Sequence, residues 1–245
     1  MKEQELENKV ISGGVELTLP RNMRLEDFER LYPSTLEFQH IININLSDAE
    51  GRLERLDELA RVGGRQALHD MLYSSANKGL GDVVDHIIKN HQVPHEQFTN
   101  AMHQAASWGH IEAIETLLDH RVQINEATMA TAASQGQLEV VKLLLDHGAS
   151  RETAMKHAAT AGQIEVVNLL LELGESPATG IGHAAKAGQI EVVETLLKAG
   201  ASIDAAMERG SETTKDFCKA YRLREQLNQM SEKTQVSKKP TVRKI

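Results

Sequence analysis

The side chains best suited to chemistry in this 245-residue chain are its 11 histidines, and two of them recur in register. His157 and His183 each stand five residues before a glycine, in neighbouring copies of one pattern. A zinc ion shared between them would need their nitrogens within roughly 3 to 4 Å, because zinc–nitrogen bonds are about 2.1 Å long. Helices packed side by side lie about 10 Å apart, so the pair reads as polar residues lining a surface, and no metal is expected. His91 and His95 have the spacing of one helical face, but Pro94 between them interrupts such a face. Cys218 is the single cysteine; no partnered base or electropositive setting accompanies it, and it reads as an ordinary buried residue. The carboxylates at 82, 112, 139, 165 and 191 recur singly, which suits helix starts better than acid–base pairs. Gly79-Leu80-Gly81 lacks the third glycine of a phosphate loop. No catalytic residue and no cofactor is therefore expected.

What must position these side chains is a sentence of sequence written three times. Ala132-Ala133, Ala158-Ala159 and Ala184-Ala185 precede Gly136, Gly162 and Gly188, which recur every 26 residues and are each followed by Gln, an apolar residue, Glu and two valines. A period of this length marks a stacked array. Within one copy, Met129 and the alanine pair form a first apolar-periodic segment ending at Gly136. Leu138, Val140, Val141, Leu143 and Leu144 form a second, ending at Gly148. These are the spacings of two amphipathic helices. A single pair has too little apolar surface to fold alone, whereas stacked pairs share a core.

The Gly-x-x-Glu-Val-Val run, the Leu-Leu-Leu before Gly-Ala and the preceding alanines resemble the ankyrin repeat. The match is closest from Gly162 to Leu171 and from Gly188 to Ala201. Thr153-Ala154-Met155-Lys156 stands where the family has Thr-Pro-Leu-His, and only Gly148-Ala149-Ser150-Arg151-Glu152 separates one pair from the next. The period is shorter than the usual repeat of about 33 residues, so the missing residues come from the β-turn finger. The resemblance implies an all-α, ankyrin-like solenoid of stacked helix pairs with an amino-terminal capping segment. It also implies that Met102, Met129 and Met155 replace a core leucine.

Three segments are expected: a non-repeat region over 1–64 that ends in a capping helix, five repeats and a closing repeat over 65–225, and a basic disordered tail over 226–245. In the first segment Val15–Leu19 alternates like a strand, Leu25–Tyr32 reads as a short helix, and Ile41–Leu46 reads as another strand. Ser47 and Glu50 form a capping box for a helix that ends at Gly63-Gly64. A net charge of −8 and an isoelectric point near 5.8 argue against a nucleic-acid surface. No run is long and apolar enough for a membrane helix, and no secretory signal follows Met1. The lone cysteine suits a reducing, cytoplasmic setting. A monomer is expected.

The resemblance places the variable positions five, two and one before each glycine on a concave groove. There Gln104, Ser107, Trp108, Thr131, Gln135, His157, Thr160, His183 and Lys186 vary while their neighbours stay Ala and Leu. Trp108 has two readings, an exposed anchor for a partner or a side chain packed under the loop around His91–His95. The expected function is non-enzymatic binding of another protein through this groove, with a host-directed effector of an intracellular bacterium as one setting and a host cytoplasm as its destination. The alternative is an enzyme or regulatory subunit whose activity lies in residues 1–66. A third reading makes the basic tail a tether to nucleic acid or an anionic membrane.

Overall fold

A computed structural model of the chain describes residues 8–12, 15–19 and 52–237. The expected helix at Leu25–Tyr32, the strand at Ile41–Leu46 and the capping box at Ser47 lie outside these residues. The chain divides into two compact units, 1–132 with 142–149, and 133–141 with 150–245.

The first unit begins with an antiparallel hairpin of β1 (Asn8–Ser12) and β2 (Val15–Leu19), in which Asn8 pairs with Leu19 and Ser12 with Val15. Of these strands only β2 is expected from the alternation of its residues; Gly13-Gly14 between two short runs is the hairpin signal in the sequence. Helix α1 (Arg52–Lys78) is broken at Gly64, whose φ of 58° and ψ of −142° suit only glycine, and helix resumes immediately afterwards. Before the break Leu56, Leu59 and Ala60 are buried; after it Ala67, Met71, Leu72 and Ala76 are. Helices α2 (Gly81–Asn90), α3 (His95–Trp108) and α4 (Ile111–Asp119) follow. α1 packs on α3, α2 packs on α4, and each first helix packs on its own second, so like stacks upon like.

Residues of α5 (Glu126–Ser134) and α6 (Leu138–Asp146) are divided between the units. The second unit continues with α7 (Arg151–Ala161), α8 (Ile164–Glu172), α9 (Pro177–Ala187) and α10 (Ile190–Lys198). It closes with α11 (Ile203–Arg209) and α12 (Glu212–Ser237). α7, α9 and α11 stack in order, as do α8 and α10. The short separators suffice because each holds its own cap: Ser150 Oγ accepts from Thr153 N at 3.1 Å, and Ser202 Oγ from Ala205 N at 3.4 Å. Ser176 caps α9, whose first residue is Pro177. The core is the expected one, with Met102, Met129 and Met155 fully buried beside the alanine pairs and the valines.

A correction concerns the carboxy-terminal end. Disorder is expected over 226–245, but α12 continues to Ser237. From 212 to 237 there is no Gly or Pro, and Glu, Gln, Lys, Arg and Leu predominate, all strong helix formers.

Stacking is keyed by one position. Gln163, the residue after Gly162, donates from Nε2 to Ser134 O at 2.8 Å, and Gln189, after Gly188, donates to Thr160 O at 3.2 Å. In the first unit His110, after Gly109, places Nε2 2.8 Å from Asn77 O. In all three cases the acceptor stands two residues before the preceding repeat's glycine. At these three glycines the following residue thus satisfies a carbonyl at the end of the neighbouring first helix, where intrahelical partners run out.

Candidate functional site

The variable positions fall on the first helices, where the alanine pair buries one face and leaves the other to solvent. In the first unit Trp108 closes α3 and is 62% exposed, so it does not pack beneath the loop around His91–His95. Gln104 and Ser107 are half-buried beside it in sequence. Thr131 is half-buried too, with Oγ1 3.3 Å from His103 Nε2. Ser74, at the same register in α1, is buried at 5% and offers no surface.

In the second unit Gln135, His157, Thr160 and Lys186 are exposed, and His183 is half-buried. Thr160 Oγ1 donates to Lys156 O at 2.7 Å, which turns its hydroxyl back on its own helix. The centre of this group is His183. Burial pushes its pKa down, and Lys156, Arg209, His157 and Lys186 push it further the same way, so the ring is neutral near neutral pH. Arg209 lies against Gly182, the residue before His183, where a Cβ would stand 2.8 Å from Arg209 Cδ.

Two members of this cluster are not among the positions expected from the sequence. Arg209 stands one residue before Gly210, the same variable register continued into the closing repeat. Lys156 stands six before Gly162, where Tyr73 and His103 occupy the corresponding places in the first unit. Tyr73 is 43% exposed and stacks on His69 with ring centres 6.5 Å apart.

A separate group lies on the second-helix side of the first unit. Asp57 Oδ1 lies 2.7 Å from His86 Nε2 and 2.8 Å from His91 Nε2. Sequence spacing sets His91 beside His95; the fold brings it to Asp57 and His86 instead. One layer along, His120 Nε2 meets Asp85 Oδ1 at 2.8 Å. Hydrogen bonds from Lys89 and then His120 hold the Asp85 carboxyl below the usual carboxylate range. In both layers a histidine capping the end of a second helix reaches an aspartate on the neighbouring helix. Of these two groups, the Asp57 group brings two histidines to one aspartate, whereas Asp85 meets one histidine and Lys89.

The remaining candidates have local structural roles. Cys218 is fully buried, and burial pushes its thiol up against a weaker opposing effect of Arg222, which removes it from thiolate chemistry at neutral pH. Asp82, Glu112, Glu139, Glu165 and Glu191 each sit in the first turn of a second helix, where they complement the positive helix end. Among the described residues no helix is long and apolar enough to cross a membrane.

Comparison with known proteins agrees with this architecture. No curated protein matches the chain. Among solved structures, the crystal structure of the human ASB11 ankyrin repeat domain is similar in fold, with a TM-score of 0.55 at 18% identity, over 72% of this chain and 95% of that one. A family model described as ankyrin repeats in three copies matches residues 68–151 and 124–180, and a single ankyrin-repeat model matches 183–208. These matches span more than half of the sequence, and the chain belongs to the ankyrin repeat family, whose repeats typically serve as protein-interaction modules.

Proposed function

We propose that the chain is a non-enzymatic protein-binding module whose partner presents an acidic segment to the first-helix side of the second unit. The observation that carries this reading is the cluster around His183. Lys156, Lys186 and Arg209 all act on one imidazole, on a chain whose net charge is −8. A local positive field on an acidic protein selects a partner of opposite sign and speeds its encounter. Lys156 is already paired with Glu152 one turn earlier, but an exposed pair of this kind is worth at most about 1 kcal/mol and a partner carboxylate can replace it. Exposed His157 and Lys186 add donors at the same surface. In the first unit Trp108 supplies the large, rigid side chain that anchors protein contacts.

The test is affinity capture from cell lysate with the intact chain and with the combined variant Lys156→Glu, Lys186→Glu and Arg209→Glu. The intact chain is expected to hold a partner that added salt weakens and that the charge-reversed variant, still helical by circular dichroism, loses. Equal capture by both proteins would remove the second unit's surface from the function.

A further inference from the structure

We propose that Asp57, His86 and His91 form a binding site for a borderline transition-metal ion, zinc above all, which clips the amino-terminal half of α1 to the end of α2. The three side chains come from three places: the part of α1 before its break at Gly64, the last turn but one of α2, and the residue that caps α2. One ligand atom from each lies within 4.8 Å of the other two. Two imidazole nitrogens and one carboxylate oxygen are a ligand set that zinc accepts, with a fourth position left for water. Imidazole excludes magnesium and calcium as occupants, because those ions select oxygen ligands.

Side-chain movement brings Asp57 to ligand distance. Around a tetrahedral zinc with bonds of about 2.1 Å, ligand atoms are roughly 3.4 Å apart. Both nitrogens now lie closer than that to Asp57 Oδ1, so the carboxylate must back away by about 0.6 to 0.7 Å while the ion enters. Asp57 can do so, since its side chain is 45% exposed, whereas His86 and His91 are held at 17% and 20%. Two constrained imidazoles facing one adjustable carboxylate, open to water on one side, leave the fourth position accessible.

The proton count closes as well. Asn90 Nδ2 donates to His86 O at 3.0 Å, which fixes that atom as the amide nitrogen, and the same atom lies 3.1 Å from His86 Nδ1. Nδ1 therefore accepts, and Nε2 carries the proton donated to Asp57. Metal entry displaces the proton that each Nε2 shares with Asp57, which passes to solvent, and at His86 solvent returns one to Nδ1. The cost at His86 is the bond from Asn90.

The full-length protein, stripped with a chelator, is titrated with zinc by calorimetry and with cobalt by visible absorbance. One ion per chain is expected, with the absorption of tetrahedral cobalt and a zinc-dependent rise in the thermal midpoint. Magnesium is expected to do neither. His91→Gln and Asp57→Asn should each weaken zinc binding by at least about 100-fold, more than the loss of an outer partner usually costs. His95→Gln serves as the control among the 11 histidines and should bind as the intact chain does. His91 lies outside α2, so its variant retains the fold if the Asp57 variant does not. Absence of stoichiometric uptake by the intact chain, or uptake unchanged in His91→Gln, overturns the site and leaves a hydrogen-bonded cluster only.

Discussion

Gln163 and Ser134, 29 residues apart in sequence, are joined by a 2.8 Å hydrogen bond from the Gln163 amide to the Ser134 carbonyl. The same relation joins Gln189 to Thr160, and His110 fills the glutamine's place in the first unit. A residue with no part in the apolar pattern thus bonds one repeat to the next.

Removing that bond leaves a part-buried carbonyl without its partner. Gln163→Ala is expected to lower the stability of the chain by about 1 kcal/mol in urea denaturation. Gln163→His should recover part of the loss, because a ring nitrogen makes the same contact at His110. An alanine variant as stable as the parent would show that apolar packing alone fixes the stacking.

Gly162→Ala and Gly148→Ala separate backbone strain from crowding. Both glycines have positive φ, 81° and 84°, and an L-residue there costs about 1 to 2 kcal/mol. A Cβ at Gly148 meets nothing within 4 Å, whereas one at Gly162 stands 2.7 Å from Gln189 Oε1. The Gly162 variant should therefore be the less stable by chemical denaturation, and Gln189→Ala in the same chain should narrow the gap. Equal losses would mean that the Gln189 side chain moves aside freely.

His183 gives the fold a pH dependence of known sign. Its pKa is lowered in the folded chain, so as pH falls below the unfolded value of about 6.5 the unfolded chain takes up the proton first. Stability is whole above about pH 6.5 and declines as pH falls through the depressed folded value. Thermal midpoints between about pH 7.5 and pH 5 should fall less steeply in His183→Gln than in the parent. Parallel curves would count against the burial and the cationic neighbourhood as causes.

Trp108→Ala separates binding from folding. At 62% exposure the side chain contributes little to the core, so stability should change by no more than about 0.5 kcal/mol. Affinity for a captured partner should fall by about 2 kcal/mol if Trp108 is an anchor. A large loss of stability with unchanged affinity would reassign it to packing.

Much of the fold was legible in the sequence because the core repeats. The alanine pairs, the valines and Met102, Met129 and Met155 are buried where the 26-residue pattern puts them. The candidate surface was legible only in part. Its positions could be counted from each glycine, but Lys156 and Arg209 join His183 through stacking, which lays Arg209 against Gly182. The helical continuation to Ser237 departs from the disorder that polarity suggests, because polar helix formers without Gly or Pro sustain a helix.

By itself the sequence determined the helix pairs, their period and the residues that fill the core, because hydrophobic periodicity is local and each copy restates it. Only the tertiary structure decided that Asp57 meets His86 and His91, 29 and 34 residues away, and that Gln163 meets Ser134. Those encounters depend on how far one layer turns and slides against the next. That relation is set by side chains packing across layers, and no single repeat carries it.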